Sequence, residues 1–493
     1  MEKFKNYING QWTEPKSGKY FLNVNPANRE DIIGEFPESG QQDVNDAVKA
    51  AHDAFKKWRL VPAPKRGDML RQAGDIFNRR KDELAAIMTR EMGKPVFETK
   101  GDIQEAIDTA YYSATETRRL FGHTAPSELS NKVNMSWRVP IGVCGIITAF
   151  NFPIAVPSWK ILPAIAAGNT VVFKPSKDAP HSGVIFAEIM EEAGIPPGVF
   201  NVLLGKGSMG NMMVEHPDMK LIGFTGSTEV GFKLGEICGR LNKKISLEMG
   251  GKNPQIVMPD ANFDLALDGV LWGAFGTTGQ RCTATSRLIV HKDVYDKFLG
   301  LLVERASKLR LGPGLDSNTE VGPVIHEKQL ETCKEYTKIG LAEGARLMLG
   351  GEQATDGILA KGNFFKPTIF ADVTKDMRLF KEEIFGPILS VIKADSLDHA
   401  IELANAVDYG LSSSIFTKNV NDAFRFIRDI EAGISYVNAP TIGAEAHMPF
   451  GGVKGTGNGH REGGWTVFDI FTEWKTSYID YSDSLQRAQI DNY

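Results

Sequence analysis

Hydrophobic positions in the early part of the chain recur at the spacing of an α-helix. Residues 42–118 are predicted to be helical because apolar side chains repeat every three or four positions in Val44–Trp58, Met69–Met88 and Ile103–Leu120. From about residue 140 short β-rich runs alternate with helical stretches. Strand–helix alternation predicts a parallel sheet with helices on both faces.

Two such alternating regions follow each other. In the first, the predicted strands are Gly145–Ala149, Thr170–Phe173, Phe200–Leu204 and Leu221–Phe224, and the predicted helices are Ser182–Ala193 and Glu229–Ile237. In the second, which starts near residue 251, the strands are Gln255–Val257, Ser286–Val290, Thr368–Ala371, Ile388–Lys393 and Ser412–Phe416, and the helices are Leu265–Thr277, Val294–Lys308, Glu327–Glu343 and Asp398–Ala406. We expect two α/β domains that meet near Gly250.

Two polar, strand-like stretches, Asn131–Arg138 and Glu473–Asp480, have no obvious partner within either domain. Each is therefore predicted to be an arm that pairs with another subunit. The segment Val139–Trp159 contains no charged residue, but its prolines, glycines and Asn151 would interrupt a membrane helix repeatedly. A buried strand followed by a loop is the better interpretation, and no membrane partner is expected.

Composition narrows the class of protein. The formal net charge of −5 and the pI of about 6.1 give no reason to expect a nucleic-acid partner. The four cysteines have spacings that suit neither zinc nor a disulfide framework, so we expect no metal and a reducing, cytoplasmic compartment. Residues 1–12 carry charges and lack the apolar core of a secretory signal.

Three polar residues are candidates for chemistry. Cys282 follows a glycine-rich run just before a predicted strand, and the neighbouring Arg281 would favour its thiolate, although the cysteine taken alone favours a buried structural thiol. Glu248 lies between apolar neighbours and a Gly-Gly turn, which suits either a general base of raised pKa or a strand cap. Asn151 follows a buried strand, where its amide would donate to an oxyanion or form an ordinary turn.

Two glycine-containing turns are candidates for binding a dinucleotide. Leu221–Gly231 has the pattern of a strand, a glycine turn and a helix capped by Ser227 or Thr228, which is suited to phosphate or is a plain β–α turn. Gly205–Gly210 matches G-x-G-x-x-G, but only a short helix follows before His216-Pro217 and no strand with a terminal acid lies at the expected distance. We interpret the second as a turn near the cofactor.

The order and spacing of these motifs resemble the aldehyde dehydrogenase superfamily over roughly residues 5–482. The resemblance is carried by F-N-F-P at Phe150, F-K-P-S at Phe173, L-E-M-G-G-K-N-P at Leu247, G-Q-R-C-T-A at Gly279, E-E-I-F-G-P at Glu382, Asn438, and P-F-G-G-V-K at Pro449. It implies an aldehyde dehydrogenase-like α/β fold with two Rossmann-like open domains and a small β oligomerisation arm. The implied dinucleotide-binding domain is 1–120 and 141–250, the catalytic domain 251–465, and the arm 121–140 and 466–493.

The resemblance also implies NAD(P)-dependent oxidation of an aldehyde through a cysteine thioester. Cys282 is then the nucleophile, Asn151 and the Cys282 backbone N–H form the oxyanion hole, and Glu248 activates the hydrolytic water. The implied cofactor-binding residues are Ile147, Phe150, Lys174, Ser176, Lys177, Gly207, Gly226, Ser227, Met249, Glu383 and Phe385. The implied substrate-lining residues are Phe152, Trp159, Arg281 and Phe450. The family is dimeric or tetrameric, so a homodimer or homotetramer is expected.

One departure bears on the cofactor. Many NAD-preferring members carry a glutamate three residues after the ribose lysine, and Lys177 stands there in this chain. A cation cannot accept hydrogen bonds from the ribose hydroxyls but pairs with a 2′-phosphate, so NADP is expected to be used alongside or in preference to NAD. Lys206 would add charge at the same end, and a Lys177 that points to solvent is the alternative.

A second departure is a longer loop after Lys454, which leaves substrate contacts in this region undefined.

The substrate is less defined by sequence. Arg281 and its surrounding motif resemble semialdehyde dehydrogenases acting on carboxylate-bearing substrates such as α-ketoglutarate semialdehyde, with some likeness to the aminoadipate branch at Gly443-Ala444-Glu445. Arg281 tuning the thiol or holding structure, and a broad aliphatic or aromatic aldehyde specificity, are the alternatives. A CoA-acylating enzyme is disfavoured by Glu248, a non-catalytic family descendant by the presence of all three catalytic candidates, and a cysteine hydrolase by the lack of a matching histidine motif.

Overall fold

The computed structural model describes residues 1–487 and residue 490. The first part forms two antiparallel strand pairs followed by four helices: β1 (Asn6–Ile8), β2 (Gln11–Thr13), β3 (Tyr20–Val24), β4 (Ile32–Pro37), α1 (Gln41–Trp58), α2 (Ala63–Arg79), α3 (Lys81–Met92) and α4 (Val96–Glu116). The helical prediction for this region is confirmed, but Met69–Met88 is divided between α2 and α3. Helix α3 ends at Gly93, whose left-handed backbone is a common helix terminator.

The next part contains β5 (His123–Pro126), β6 (Lys132–Pro140), β7 (Val143–Ile147), α5 (Ala155–Ala167), β8 (Thr170–Lys174), α6 (Pro180–Glu192), β9 (Phe200–Val202), α7 (Ser208–Glu215), β10 (Met219–Thr225), α8 (Thr228–Arg240) and β11 (Lys244–Glu248). A seven-stranded sheet has the order β11-β10-β7-β8-β9-β1-β2. Its first five strands are parallel, and β1 and β2 add an antiparallel edge.

The remaining part contains β12 (Asn253–Val257), α9 (Phe263–Phe275), β13 (Thr285–His291), α10 (Tyr295–Ala306), α11 (Glu327–Ala342), β14 (Arg346–Leu349), β15 (Thr368–Ala371), α12 (Arg378–Lys381), β16 (Ile388–Ala394), α13 (Leu397–Asn405), β17 (Tyr409–Gly410), β18 (Ser412–Phe416), α14 (Val420–Asp429), β19 (Ile434–Val437), β20 (Val453–Lys454), α15 (Val467–Phe471) and β21 (Thr472–Asp480). A second seven-stranded sheet has the order β14-β15-β16-β13-β12-β18-β19, and only β14 is antiparallel to its neighbour.

Both sheets are covered on both faces by helices, as the alternating pattern predicts. The central strands β7, β8, β12 and β18 are buried at every position, which is the expected property of a parallel sheet inside an α/β fold. The chain passes from the first sheet to the second between Glu248 and Asn253. Ligand sites in such folds lie beyond the carboxyl ends of the strands, and Glu248 is the last residue of β11.

The two polar strands do have a partner within the chain, which corrects the expectation from sequence. Strands β6 and β21 pair with each other along nine residues, from Thr472 opposite Pro140 to Asp480 opposite Lys132, and β5 completes a three-stranded antiparallel sheet. Pairing of two segments more than 300 positions apart leaves no local signal in the sequence. Their contact with another subunit remains a prediction. Residues 488, 489 and 491–493 of the expected arm lie outside the described residues.

A second correction concerns the end of α9, which was expected at Thr277. The helix ends at Phe275, and Thr277 and Thr278 follow in a short turn with φ angles of 51° and 57°. The segment Val139–Trp159 forms the end of β6, β7, a loop and the start of α5. No helix within the described residues is both long and apolar enough to cross a membrane.

Candidate active site

The three catalytic candidates lie in loops at the boundary of the two sheets. Asn151 follows β7, Glu248 ends β11, and Cys282 lies in the turn between α9 and β13. Asn151 and Glu248 are each 4% exposed, and Cys282 is partly exposed. The Glu248 carboxylate acts electrostatically on the Cys282 thiol, so the two side chains are neighbours.

The Cys282 thiol is held in its neutral form in the free protein. Burial, followed by the carboxylates of Glu383 and Glu248, raises its pKa to about 12, and the backbone N–H groups of Thr283 and Cys282 oppose this rise. The expectation that Arg281 stabilises the thiolate is not supported, because its guanidinium group donates to Glu98 instead, with Nη2 2.7 Å from the carboxylate. A cation brought in by a ligand would therefore promote ionisation of this thiol.

Glu248 has the properties of a general base. Burial raises the pKa of its carboxyl to about 8, and the charges of Lys160 and Arg461 partly offset this effect. Neither carboxylate oxygen has a side-chain hydrogen-bond partner among the described residues, and the backbone N–H of Gly452 also lowers the pKa of this carboxyl. A Cβ atom at Gly451 would lie 2.6 Å from Glu248 Oε1, so the glycine lets the carboxylate occupy this place. A buried carboxylate that titrates near neutral pH is suited to take a proton from water.

Asn151 offers an unoccupied hydrogen-bond donor. Its backbone carbonyl accepts a hydrogen bond of 2.9 Å from Lys94 Nζ, which fixes the loop. Its side-chain amide forms no hydrogen bond with any described residue. The next residue, Phe152, has its ring 5.6 Å from the guanidinium of Arg281, so this loop lies against the Cys282 turn. A free amide beside a nucleophile is the arrangement that an oxyanion hole requires.

Sequence reasoning missed a buried pair next to Glu248. The ammonium group of Lys160 contacts the Glu462 carboxylate, and both side chains are almost wholly buried. Burial lowers the pKa of Lys160 to about 7, while Glu248 and Cys282 raise it. The signal available in the sequence was a single lysine that directly follows the charge-free segment ending at Trp159. Lys160, whose pKa lies near neutrality, therefore adds a second buried titratable group close to the base.

The turn before Cys282 is held by a carboxylate from the helical region. Glu98 of α4 accepts hydrogen bonds from the Thr277 N–H at 3.0 Å, from the Thr277 hydroxyl, and from Arg281. Left-handed backbone at a β-branched residue costs about 1–2 kcal/mol. Two successive threonines adopt it here, so the surrounding contacts must impose the conformation.

A cavity of about 320 Å³ is lined by two of the predicted substrate residues, Trp159 and Phe450, whose ring centroids are 4.8 Å apart. The other two, Phe152 and Arg281, do not line it. The carboxylates of Glu105, Asp108 and Glu445 also line this cavity, and no lysine or arginine of the described chain does so. Burial raises the pKa of Glu105 to about 8. The cavity therefore becomes more negative as pH rises through this value.

A larger cleft of about 840 Å³ opens beside the first sheet. Lys177, Lys206 and Gly207 line it. Lys177 is 48% exposed with its Nζ 2.5 Å from Asp178, and Lys206 pairs with Glu38 at 2.8 Å. Lys177 is thus turned toward the cleft as well as toward solvent. Two exposed cations at one end of a cleft fit a phosphate group.

Two further cofactor candidates, Lys174 and Ser176, lie just before the cleft-lining Lys177 in the chain. Lys174 is buried at the end of β8 with its pKa lowered to about 8 by burial, and its Nζ donates to the Pro175 carbonyl at 3.2 Å. Ser176 accepts a hydrogen bond from the Asp178 N–H. These residues follow β8 directly, at the carboxyl edge of the first sheet, where the loops of such folds contact ligands.

The helix α8 begins at Ser227, whose side chain does not cap it, so the first-turn N–H groups remain available. The buried hydroxyl of Thr225, just before Gly226, also has no hydrogen-bond partner in the described chain. Ile147 and Met249 pack beneath this helix in one apolar cluster. An uncapped helix with an orphaned hydroxyl beside it fits a pyrophosphate.

The remaining cofactor candidates lie near the catalytic residues, away from Lys177 and Lys206. Among them, the rings of Phe150 and Phe385 meet edge to face with their centroids 5.9 Å apart. Glu383 accepts a hydrogen bond of 3.0 Å from the Gly251 N–H. Its charge acts on Cys282, which places this end next to the nucleophile. The residues present therefore fit a dinucleotide that runs from the two surface lysines to the thiol. Among the described residues no group of His, Cys, Asp and Glu has the arrangement of a metal site.

Comparison with known proteins gives consistent matches over the whole length. Residues 12–477 match the model of the "Aldehyde dehydrogenase family". An alpha-ketoglutarate semialdehyde dehydrogenase of Haloferax volcanii is 43% identical over 97% of the chain and 99% of that protein. Human retinaldehyde dehydrogenase 3 is 41% identical over 97% of the chain and 93% of that protein.

Solved structures show the same fold. An NAD-dependent aldehyde dehydrogenase from Sinorhizobium meliloti superposes with a TM-score of 0.95 at 36% identity, covering 98% of the chain and 96% of that structure. An NADP-dependent enzyme from E. coli superposes with a TM-score of 0.93 at 37% identity, covering 97% and 98% respectively.

Proposed function

Because the chain belongs to the aldehyde dehydrogenase family, we propose that it oxidises an aldehyde to a carboxylic acid with NADP or NAD through a thioester on Cys282. The observation that carries this proposal is the grouping of a thiol, a buried carboxylate and an unoccupied amide donor in loops at the boundary of the two sheets, in a fold that also has a cleft lined by exposed lysines. Each of these groups has a distinct role in such a reaction.

In the first half-reaction, the Cys282 thiol gives its proton to water, and the resulting thiolate attacks the aldehyde carbonyl and forms a carbon–sulfur bond. The oxyanion that develops accepts hydrogen bonds from the Asn151 amide and the Cys282 backbone N–H. Loss of one such donor typically costs about 3–4 kcal/mol of transition-state stabilisation. When bound, a dinucleotide would accept the aldehyde hydrogen as hydride, and the oxyanion would then become the carbonyl of a thioester on Cys282. Its binding residues would be Lys174, Ser176, Ser227 and Glu383.

In the second half-reaction, Glu248 takes a proton from water, and the resulting hydroxide cleaves the thioester. The pKa of about 8 makes the carboxylate basic enough to accept this proton. Lys160 and Glu462 lie beside it and can return the proton to solvent. A free carboxylate at this place supports hydrolysis over transfer of the acyl group to CoA.

The experiment that tests the proposal replaces the nucleophile. Cys282→Ala should abolish dinucleotide reduction with every aldehyde while the circular dichroism spectrum is retained. Cys238→Ala, which removes a buried thiol from the first domain, is the matched control and should stay active. Turnover by Cys282→Ala would contradict the mechanism. A wild-type protein that binds dinucleotide but reduces none would favour a non-catalytic role, and acid production that requires CoA would favour the acylating alternative.

We further propose a carboxylate-bearing semialdehyde as substrate, of the kind that names the Haloferax relative. Arg281 Nε and Nη2 are occupied by Thr277 and Glu98, but Nη1 has no partner among the described residues and can donate to a substrate carboxylate. The test compares α-ketoglutarate semialdehyde with pentanal as a neutral control. A lower KM for pentanal, or equal KM values for both, would support the broad aldehyde specificity instead.

A further inference from the structure

Helix α4 carries two buried carboxylates one turn apart, and each one holds a different loop of the site. Glu98 accepts hydrogen bonds from Thr277 and Arg281 in the turn that leads to Cys282. Asp102 accepts 2.7 Å hydrogen bonds from Lys94 Nζ and from the Ala155 N–H. A spacing of four residues places both carboxylates on the same face of the helix.

The Glu98 contacts fix the nucleophile turn. Thr277 and Thr278 keep left-handed backbone angles that L side chains rarely adopt, and Gly279 continues in the same region at φ 68°. Glu98 accepts hydrogen bonds from both the N–H and the hydroxyl of Thr277, which ties this turn to helix α4. On the far side, the Cys282 carbonyl accepts a 2.7 Å hydrogen bond from Asn253. The cysteine is thus held between two fixed points.

The Asp102 contacts fix the loop of the oxyanion donor. Lys94 links Asp102 to the Asn151 carbonyl through two hydrogen bonds of 2.7 Å and 2.9 Å from its Nζ. The Ala155 N–H, at the start of α5, binds the other oxygen of Asp102. Both ends of the Asn151–Ala155 segment therefore depend on one buried carboxylate.

We propose that Glu98 and Asp102 are positioning residues, which together set the distance between the Cys282 thiol and the Asn151 amide. Glu98 positions the nucleophile turn and Asp102 positions the loop of the oxyanion donor. Helix α4 carries both carboxylates and keeps the distance between them constant. Neither touches the reacting atoms. The proposal rests on the function proposed above, since it assigns the parts of that same site.

The experiment separates the two carboxylates by their readouts. Glu98→Gln keeps the volume but cannot accept all three hydrogen bonds. It should lower kcat about 10- to 100-fold for charged and neutral aldehydes alike, because displacement of a reacting group by about 1 Å has an effect of this size. It should also slow alkylation of Cys282 by iodoacetamide and alter the pH profile of that reaction. Asp102→Asn should lower kcat similarly, yet leave alkylation of the thiol unchanged.

The matched control is Glu91→Gln. Glu91 is a fully buried carboxylate of α3 that also accepts hydrogen bonds, from His181 and Ser182, at a place remote from the thiol. The Glu91→Gln variant should have a lower melting temperature than the wild type, and the pH profile of Cys282 alkylation should not change. Wild-type kcat and alkylation in Glu98→Gln would overturn the proposal, as would an equal change of alkylation in Glu91→Gln or Asp102→Asn. Activity of Cys282→Ala would instead overturn the proposed function.

Discussion

The two ends of the site hold their charges in different ways. At the catalytic end, cations and carboxylates are paired inside the protein: the side chains of Lys160 and Glu462 are 1% and 2% exposed. At the end of the cleft that we assign to adenosine, Lys177 and Lys206 form their pairs at the surface, with about half of each side chain exposed. Lysine–carboxylate pairs are therefore buried at one end of the site and exposed to solvent at the other.

The difference follows from solvent. Removal of one partner of a buried ion pair strongly destabilises the folded protein, so such a pair keeps its two side chains in place. A surface pair contributes about 0–1 kcal/mol and exchanges readily with a ligand. The interior pairs therefore hold the reacting groups in place, whereas the surface lysines remain available to a phosphate. The following predictions test this contrast, from the largest expected effect to the smallest.

Removal of the base should have the largest effect. Glu248→Gln should lower steady-state turnover by about 10²- to 10⁴-fold, because water is no longer deprotonated. Hydride transfer precedes hydrolysis, so rapid mixing should still show a burst of reduced dinucleotide equal to the enzyme concentration. In the wild type, kcat should fall as pH drops below about 8, since only the ionised carboxylate accepts a proton. A full steady-state rate in the variant would contradict the assignment.

Removal of an interior cation should greatly lower stability. Lys160→Met leaves Glu462 buried and without its partner, so the free energy of unfolding should fall by about 3–5 kcal/mol in denaturant titrations. Lys206→Met breaks a surface pair with Glu38 and should lower it by less than about 1 kcal/mol. Similar losses in the two variants would show that the contrast between the two ends is wrong.

Reversal of a surface charge in the cleft should change cofactor choice moderately. Lys177→Glu should lower kcat/KM for NADP about tenfold relative to NAD, since the carboxylate repels a 2′-phosphate and accepts hydrogen bonds from ribose hydroxyls. Lys308→Glu changes the net charge equally at a surface pair with Glu304, outside the residues that line the cleft, and should leave the ratio unchanged. A strong preference for NAD in the wild type would contradict this role of Lys177.

The smallest effect is expected at Glu105, in the cavity that Trp159 and Phe450 line. The pKa of Glu105 is about 8, so its charge appears as pH rises through that value and should raise KM for a carboxylate-bearing aldehyde. One pH unit above that pKa, KM should have risen about 2- to 5-fold, because repulsion between two like charges in a partly solvated site costs roughly 1 kcal/mol. Glu105→Gln should remove this rise. KM for pentanal is the internal control. An identical KM rise in variant and wild type would exclude Glu105 as its source.

The sequence by itself determined the α/β class and the individual catalytic candidates. Parallel strands buried on both faces must be apolar throughout, so β7 and β8 were recognisable without any tertiary information. The motifs around Cys282 and Glu248 were equally local. Each motif alone was compatible with an ordinary turn or a buried thiol, and the resemblance of the whole series gave them their expected roles.

Only the tertiary structure decided how distant segments meet. The pairing of β6 with β21, the contact of Lys160 with Glu462, and the binding of Thr277 by Glu98 each join residues more than 150 positions apart. Such contacts are imposed by burial, which forces an isolated charge or an unpaired backbone group to find a partner wherever the fold brings one. Arg281 illustrates the limit: its position in the sequence suggested a contact with the neighbouring thiol, but the fold pairs its Nη2 with the carboxylate of Glu98.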